Sequence, residues 1–343
     1  MNMQKTLVEL PGFDAAAGRP SEAAVEAYER DGVVCLRGAF DAHWVEALRD
    51  GVDRAMADAL QDGRDRNARG VDQTETQCDQ IDRDRVNRGD QAETERGDQI
   101  ETNRDQTQCG DQNESDTDQN QPQPRNQAVR VAKPGEAGCF FYDMFLWRRY
   151  AVFRAFAFES PAADLARRIM RSDTLTFYYD LVLSKEPGAG SPTPWHYDEA
   201  YWPVAGTQVC NLWTALDDIP AATALRFARG SHRRAENHRA VGFGPGIEDR
   251  GQNDPPPPDW DADAGAEIVY APLSPGDCLI INLRTHHSAP GNLSAARRRA
   301  HATHWLGDDA RYNDKPWQCD PDERGQNLAH GGKMECAIFP RVR

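Results

Sequence analysis

The sequence predicts a mainly β domain, an antiparallel sandwich or barrel with helices beside it, and three observations carry that expectation. Beyond residue 170 the chain runs as short segments rich in β-branched and aromatic residues, TLTFYYDLVLSKEPG, TQVCNLWTALDD, ALRFARGSH, AEIVYAPLSPGDCLIINLR and RRRAHATHWLG, separated by Gly and Pro turn signals rather than by helical stretches. Helical periodicity is confined to the first sixty or so residues and to 161–170. One stretch stands outside any core: residues 71–127 hold ten Asp, five Glu and six Arg, without Lys or an aromatic residue, and account for −9 of the net charge of −15.

Taken in order, 21–30 (SEAAVEAYER) reads as a helix capped by Ser21, with Ala24, Val25 and Tyr28 as its apolar stripe. DGVVCLRG follows as a short strand. Residues 39–60 read as a longer helix on which Trp44, Leu48, Val52 and Met56 recur every four residues. Over 66–127 the pattern dissolves into near-copies, GDQAETER at 89–96 and GDQIETNR at 97–104, a composition that cannot bury enough apolar surface to offset ordering entropy. The expectation there is a disordered acidic insert; the rival is an acidic interaction or metal-binding tract. Residues 1–65 and 128–343 are then expected to form one domain, the first packing on the second. Within it, 139–170 is aromatic-rich and helical in its second half, while 234–264, with four consecutive prolines at 255–258, is a long loop of the kind that carries substrate contacts at a barrel mouth.

Outside the insert the 343-residue chain is only mildly acidic, which argues against a nucleic-acid-binding surface. No apolar run approaches the ~20 residues that span a bilayer, and the N-terminus lacks a signal-peptide core, so the expected location is cytoplasmic and no membrane partner is expected. Eight cysteines are scattered singly, which speaks against a disulfide framework or zinc ribbon; Cys35, Cys210 and Cys278 read as small core residues.

The stretch SPTPWHYDEAYWP carries the chemistry. If it is extended, His196 and Asp198, two residues apart, project from one face and converge on one point. Two imidazoles and one carboxylate on one face of an octahedron hold non-haem Fe(II) and leave three positions open, and the chain offers His287 as the second imidazole. Its neighbour His286 lies on the other face of an extended segment, so only one of the two can reach the metal. A surface histidine beside a turn aspartate is the plain alternative.

Together with NLWTALDD, ALRFARGSH, PGDCLIIN and HHSAPGNLSAARRRAHATHW, that stretch resembles the phytanoyl-CoA dioxygenase family of Fe(II)- and 2-oxoglutarate-dependent oxygenases, over about 128–343 and DGVVCLRGAF. The resemblance implies a double-stranded β-helix (jelly-roll, cupin-like) core with flanking helices. It also implies Fe(II), 2-oxoglutarate and O2 as cofactor and co-substrates, with oxidative decarboxylation to succinate and CO2 and hydroxylation of a small organic molecule. The family pattern has an Asn five and an Arg eleven residues after the distal His; from His287 these are Asn292 and Arg298, and Arg298 would take the far carboxylate of 2-oxoglutarate. On a strand Arg298, Ala300, Ala302 and His304 share one face and Arg297, Arg299 and His301 the other, the rival for Arg298 being membership of a solvated basic run. Asn211, Trp213 and Ala215 likewise share a face, and similar proteins use that Trp beside 2-oxoglutarate, though it could be plain core. His232 is expected to stabilise a turn, and Trp195, Tyr201 and Trp202 either line the pocket or pack around the metal strand. The sequence departs from many relatives at 221–223, AAT in place of a Gly-containing turn, a difference expected to touch no ligand. A cupin-like isomerase or hydrolase that does not use 2-oxoglutarate and a catalytically silent binding protein are the alternatives; the oligomeric state stays open.

Overall fold

The computed structural model of the chain describes residues 6–15, 18–61, 128–133, 135–242, 249–251, 253–316 and 327–343. The expected insert over 66–127 lies outside the described residues.

Two short strands, β1 (Leu7–Glu9) and β2 (Gly12–Asp14), precede helix α1 (Glu22–Asp31), strand β3 (Val33–Arg37) and helix α2 (Ala42–Gln61). Ser21 accepts the amide of Ala24 at 3.3 Å and caps α1, as its sequence predicts. Gly32 ends that helix at φ 80°, where its amide bonds Tyr28 O. A side chain there would also meet Thr285 Oγ1 at 2.3 Å, so both conformation and space demand glycine. After the insert come β4 (Val129–Val131), β5 (Phe140–Met144) and helices α3 (Ala151–Glu159) and α4 (Ala162–Ile169).

The second half of the chain then follows as β6 (Thr176–Lys185), β7 (Thr193–His196), β8 (Val204–Ala205), β9 (Val209–Ala215), β10 (Arg226–Ala228), β11 (Ile268–Tyr270), β12 (Cys278–Asn282), β13 (His287–Ala289), β14 (Arg298–Leu306) and β15 (Arg311–Tyr312). One sheet has the order β2-β3-β12-β9-β14-β6-β5-β4 and faces a second of order β1-β11-β10-β13-β7. The chain passes back and forth between them, which is the double-stranded β-helix: β6, β9, β12 and β14 form its larger wall, β7, β10, β11 and β13 its smaller one. N-terminal strands extend both walls, β1 pairing in parallel with β11 and β3 antiparallel with β12.

Two apolar layers result. Between the sheets lie Trp213, Ala215, Phe227, Leu279, Ile281, Ala300 and Ala302. On the outer face of the larger sheet, Phe153 and Phe156 of α3 pack on His301, and Leu48, Val52 and Met56 of α2 are buried as their spacing predicts. Cys35, Cys210 and Cys278 are free, buried core residues; Cys139 is disulfide-bonded. The segment DCLIINLRT is not one strand reaching the paired histidines. β12 stops at Asn282, a turn stitched by the Thr285 amide to Asn282 O (2.8 Å) crosses the barrel, and His287 opens β13 in the other sheet.

Candidate metal centre

His196 is the last residue of β7, and Tyr197 continues it in extended geometry (φ −138°, ψ 149°) before a 3-10 turn begins at Asp198. That one extended residue keeps His196 and Asp198 on one side. β13 pairs antiparallel with β7 so that His287 lies directly opposite His196, and the ring centroids are 4.1 Å apart. One ligand atom from each of His196, Asp198 and His287 lies within 4.8 Å of the others, the three being the one such cluster among the described residues.

Hydrogen bonds aim these atoms. His196 Nδ1 sits 2.8 Å from Pro194 O and His287 Nδ1 2.9 Å from Thr285 O, which fixes the proton on Nδ1 in each ring and turns the Nε2 lone pair inward. The two Nε2 atoms are then 4.0 and 3.8 Å from Asp198 Oδ1, too long for hydrogen bonds and suited to a shared cation. Asn211 Nδ2 donates to the other carboxylate oxygen at 3.4 Å. Burial, and next His287, hold the His196 imidazole well below its ordinary pKa, so it is neutral. Burial also raises Asp198, against His287 and the Asn211 bond. A carboxylate facing the inward Nε2 atoms of two buried imidazoles is a donor set that fits a divalent transition metal.

Beyond Trp213, two residues along β9 from Asn211, the barrel carries its other charged feature. Arg298 opens β14 on the inward face, 6 % exposed, with its guanidinium 5.8 Å from the Trp213 ring. Nη1 donates to Thr223 O at 2.7 Å, whereas Nε is buried with no acceptor, and Arg298 forms no ion pair among the described residues. Burial alone pulls its pKa down to about 10. The apolar layer between the sheets includes four small residues, Ala215, Ala289, Ala300 and Ala302. The turn at 221–223, expected to touch no ligand, forms a 3-10 turn whose carbonyl steadies Arg298.

The structure brings His196, Asp198, His287 and Asn211 into one cluster and sets Arg298 beside Trp213 within the same barrel. It sends His286 elsewhere, into a buried box with Tyr197, His238 and Trp260. His232 bonds Glu29 O (3.2 Å) in a turn away from the triad. Asn292 is structural, its amide bonding Lys185 O and Ala296 O at 2.8 Å each at the turn before Arg298. Trp202 packs with Tyr178, Tyr179 and His304, and Trp195 Nε1 bonds Asp261. Two features escaped the sequence. Tyr197 and Tyr201 each grip one loop residue by both backbone groups: the Tyr197 hydroxyl accepts the His238 amide (2.9 Å) and donates to His238 O (3.1 Å), and Tyr201 does the same to Val241 at 3.1 and 2.7 Å. Lys185, opposite Arg298 in the β6–β14 register, is buried on the same face, bonded to the carbonyls of Ser191 and Pro290. Nothing local in the sequence marks either one.

Fold and site together define the class, a double-stranded β-helix enzyme dependent on iron and 2-oxoglutarate. The sequence supplies the family: the model of the phytanoyl-CoA dioxygenase (PhyH) family matches residues 28–300, and the chain belongs to that family. Among solved structures, the non-heme alpha ketoglutarate dependent carbocyclase SnoK from nogalamycin biosynthesis is similar at TM-score 0.59 and 20 % identity, over 94 % of this chain and 96 % of its own. The epimerase SnoN from the same biosynthesis follows at 0.57 and 21 %, over 94 % and 95 %. EctD from S. alaskensis with 2-oxoglutarate and 5-hydroxyectoine matches at 0.53 and 16 %, over 93 % and 86 %. At these identities the likeness is one of fold. No curated protein matches the chain in sequence. No helix among the described residues is long and apolar enough to cross a membrane.

Proposed function

We propose that the chain hydroxylates a small organic molecule in the cytoplasm, converting substrate, 2-oxoglutarate and O2 to hydroxylated substrate, succinate and CO2. The observation that carries this reading is Arg298: a buried guanidinium without a carboxylate partner, inside the same barrel as a two-histidine, one-aspartate cluster. In this reading His196, Asp198 and His287 hold Fe(II), which with 2-oxoglutarate and O2 supplies the oxidising power for a C–H bond. Asn211 steadies the free oxygen of Asp198 and keeps it a one-oxygen ligand. Arg298 offers its unpaired donors to the distal carboxylate of 2-oxoglutarate, a planar partner that a guanidinium fork fits better than an ammonium does. Trp213 forms the wall along which the co-substrate chain lies. Asp198 argues against halogenation, which needs that coordination position for chloride. We also read 6–61 and 128–343 as one folding unit, supported by β1 and β3 completing the two sheets.

Relatives of this fold named as a carbocyclase and an epimerase make the fate of the oxidised substrate the point to test. The experiment is 2-oxoglutarate turnover with Fe(II) and ascorbate against acyl-CoAs, amino acids and polycyclic secondary-metabolite-like compounds, with product mass recorded. Hydroxylation predicts stoichiometric succinate and a gain of one oxygen atom. Loss of two hydrogens or an unchanged mass would assign ring closure or epimerisation, and absence of succinate would remove the co-substrate reading altogether.

A further inference from the structure

The geometry points to a second small-molecule site, a cavity at the barrel end opposite the metal centre that takes a small organic di- or tricarboxylate on the rear of Arg298. The cavity has a volume of about 520 Å³, within the roughly 300–1,000 Å³ of ordinary ligand pockets. Its position separates it from the substrate mouth. It is lined by Asp218, just past the end of β9, and Ser274, just before β12, whereas the triad lies at the other ends of those strands.

Charge selects the ligand. Three arginines, Arg37, Arg297 and Arg298, are among the lining residues, against one acid, Asp218. Arg37 is neutralised by Asp277 at 2.7 Å, and Arg297 by Asp53 at 2.6 Å and Glu186 at 2.8 Å. Arg298 has only the Thr223 carbonyl. A buried cation without a counter-charge favours an anion from whichever side one can approach, and a planar fork favours carboxylate. The cavity is far larger than one carboxylate, which leaves room for a ligand that carries more than one. This inference rests on the reading of Arg298 above for its consequence: pocket anion and co-substrate share one guanidinium, so filling the cavity raises the 2-oxoglutarate requirement.

The test is calorimetric titration of tricarballylate, and separately of inorganic phosphate, into the Fe(II)-loaded enzyme, each compared with 2-oxoglutarate. Ser274 is an exposed lining residue, and Ser274→Trp plugs the mouth without touching the channel side. We expect tricarballylate affinity to fall at least tenfold in Ser274→Trp with 2-oxoglutarate binding unchanged, and to rise severalfold in Asp218→Lys. Arg298→Ala should lose both ligands. Tricarballylate binding that neither Ser274→Trp nor Asp218→Lys alters would overturn the site, as would Ser274→Trp weakening 2-oxoglutarate equally, which would make the cavity part of the co-substrate channel. Phosphate binding with the same sensitivity and no tricarballylate binding would overturn the ligand class. Should Arg298→Ala lose tricarballylate yet keep 2-oxoglutarate, the co-substrate reading falls and this one stands.

Discussion

On the outward side of β14 each arginine meets a carboxylate, Arg297 pairing with Asp53 and Glu186 and Arg299 with Asp217 at 2.9 Å and Asp53 at 3.1 Å, and the His301 ring lies 3.2 Å from Asp180. On the inward side Arg298 meets none, and its cross-strand neighbour Lys185 bonds two carbonyls and lies over the Phe140 ring. The two sides are a residue apart in sequence and carry the same chemistry, so residue type does not separate them. Partnering does. Outward charges are closed within the fold and hold α2 to the sheet; inward charges are left open, a cost a fold keeps where a ligand closes it. The adjacent histidines of β13 differ in the same way, His287 aimed by its Thr285 bond and His286 boxed among aromatic rings.

The largest effect tests that last pair. His287→Ala should abolish turnover and weaken iron binding by more than the 10–100-fold that loss of a ligand's own hydrogen-bond partner costs, roughly. His286→Ala should keep iron and lose about 1–3 kcal/mol of stability through packing. Metal content and succinate formation on both variants decide it, and an iron-free His286→Ala beside an active His287→Ala would reverse the assignment.

Next comes the arginine comparison. Arg298→Ala should raise the 2-oxoglutarate requirement tens- to hundreds-fold with iron still bound, since a charge-assisted bidentate contact contributes about 2–4 kcal/mol. Arg299→Ala should leave that requirement within about twofold and instead lower the melting temperature by several degrees, its role being the tie to Asp217. Swapped phenotypes would show that the inward face of β14 is the other one.

A smaller effect belongs to Lys185, whose ammonium is pulled down to about 7, first by burial and then by Arg298. The unfolded chain holds that proton to its ordinary value near 10.5. Between those limits the unfolded state binds more protons, so stability rises with pH by up to about 1.4 kcal/mol per unit. Below about 7 both states are charged and the burden of a buried ammonium is present in full. Lys185→Met should remove this slope. Urea unfolding at pH 7 to 10 measures it: wild-type and variant curves that stay parallel would place the charge of Lys185 in water or on a carboxylate.

Much of this was legible because strand periodicity is short-ranged. His196 with Asp198, and Asn211 with Trp213 and Ala215, needed only alternation, and the inward phase of Arg298 followed from Ala300 and Ala302 on the same face. What failed depends on distant partners. The run FFYDMFLW has no clean period because β5, a 3-10 turn and α3 succeed one another within twenty residues. β1 and β2 are three residues each and exist only through parallel pairing with β11 and β3. AEIVYAPLSPGDCLIINLR reads as one strand segment yet supplies two strands in different sheets. The Thr223 carbonyl on Arg298 and the two tyrosine grips join residues 40 to 75 positions apart, which no local pattern encodes.

The smallest effect expected is none at all. Every residue in the comparison above, on either side of β14, lies within 6–61 or 128–343. Residues 71–127 add fifteen acids, six arginines and no aromatic side chain, a composition with almost nothing to bury. Loop-closure entropy grows only with the logarithm of length, about 0.6 kcal/mol per doubling, so shortening the connection from α2 to β4 should stabilise slightly if it does anything. Deleting 70–126 should therefore leave the melting temperature within a few degrees and 2-oxoglutarate turnover within about twofold. A large loss of turnover in a deletion that still melts cooperatively would give the acidic tract a part in the reaction, and a collapse of the melting transition would give it a part in the fold.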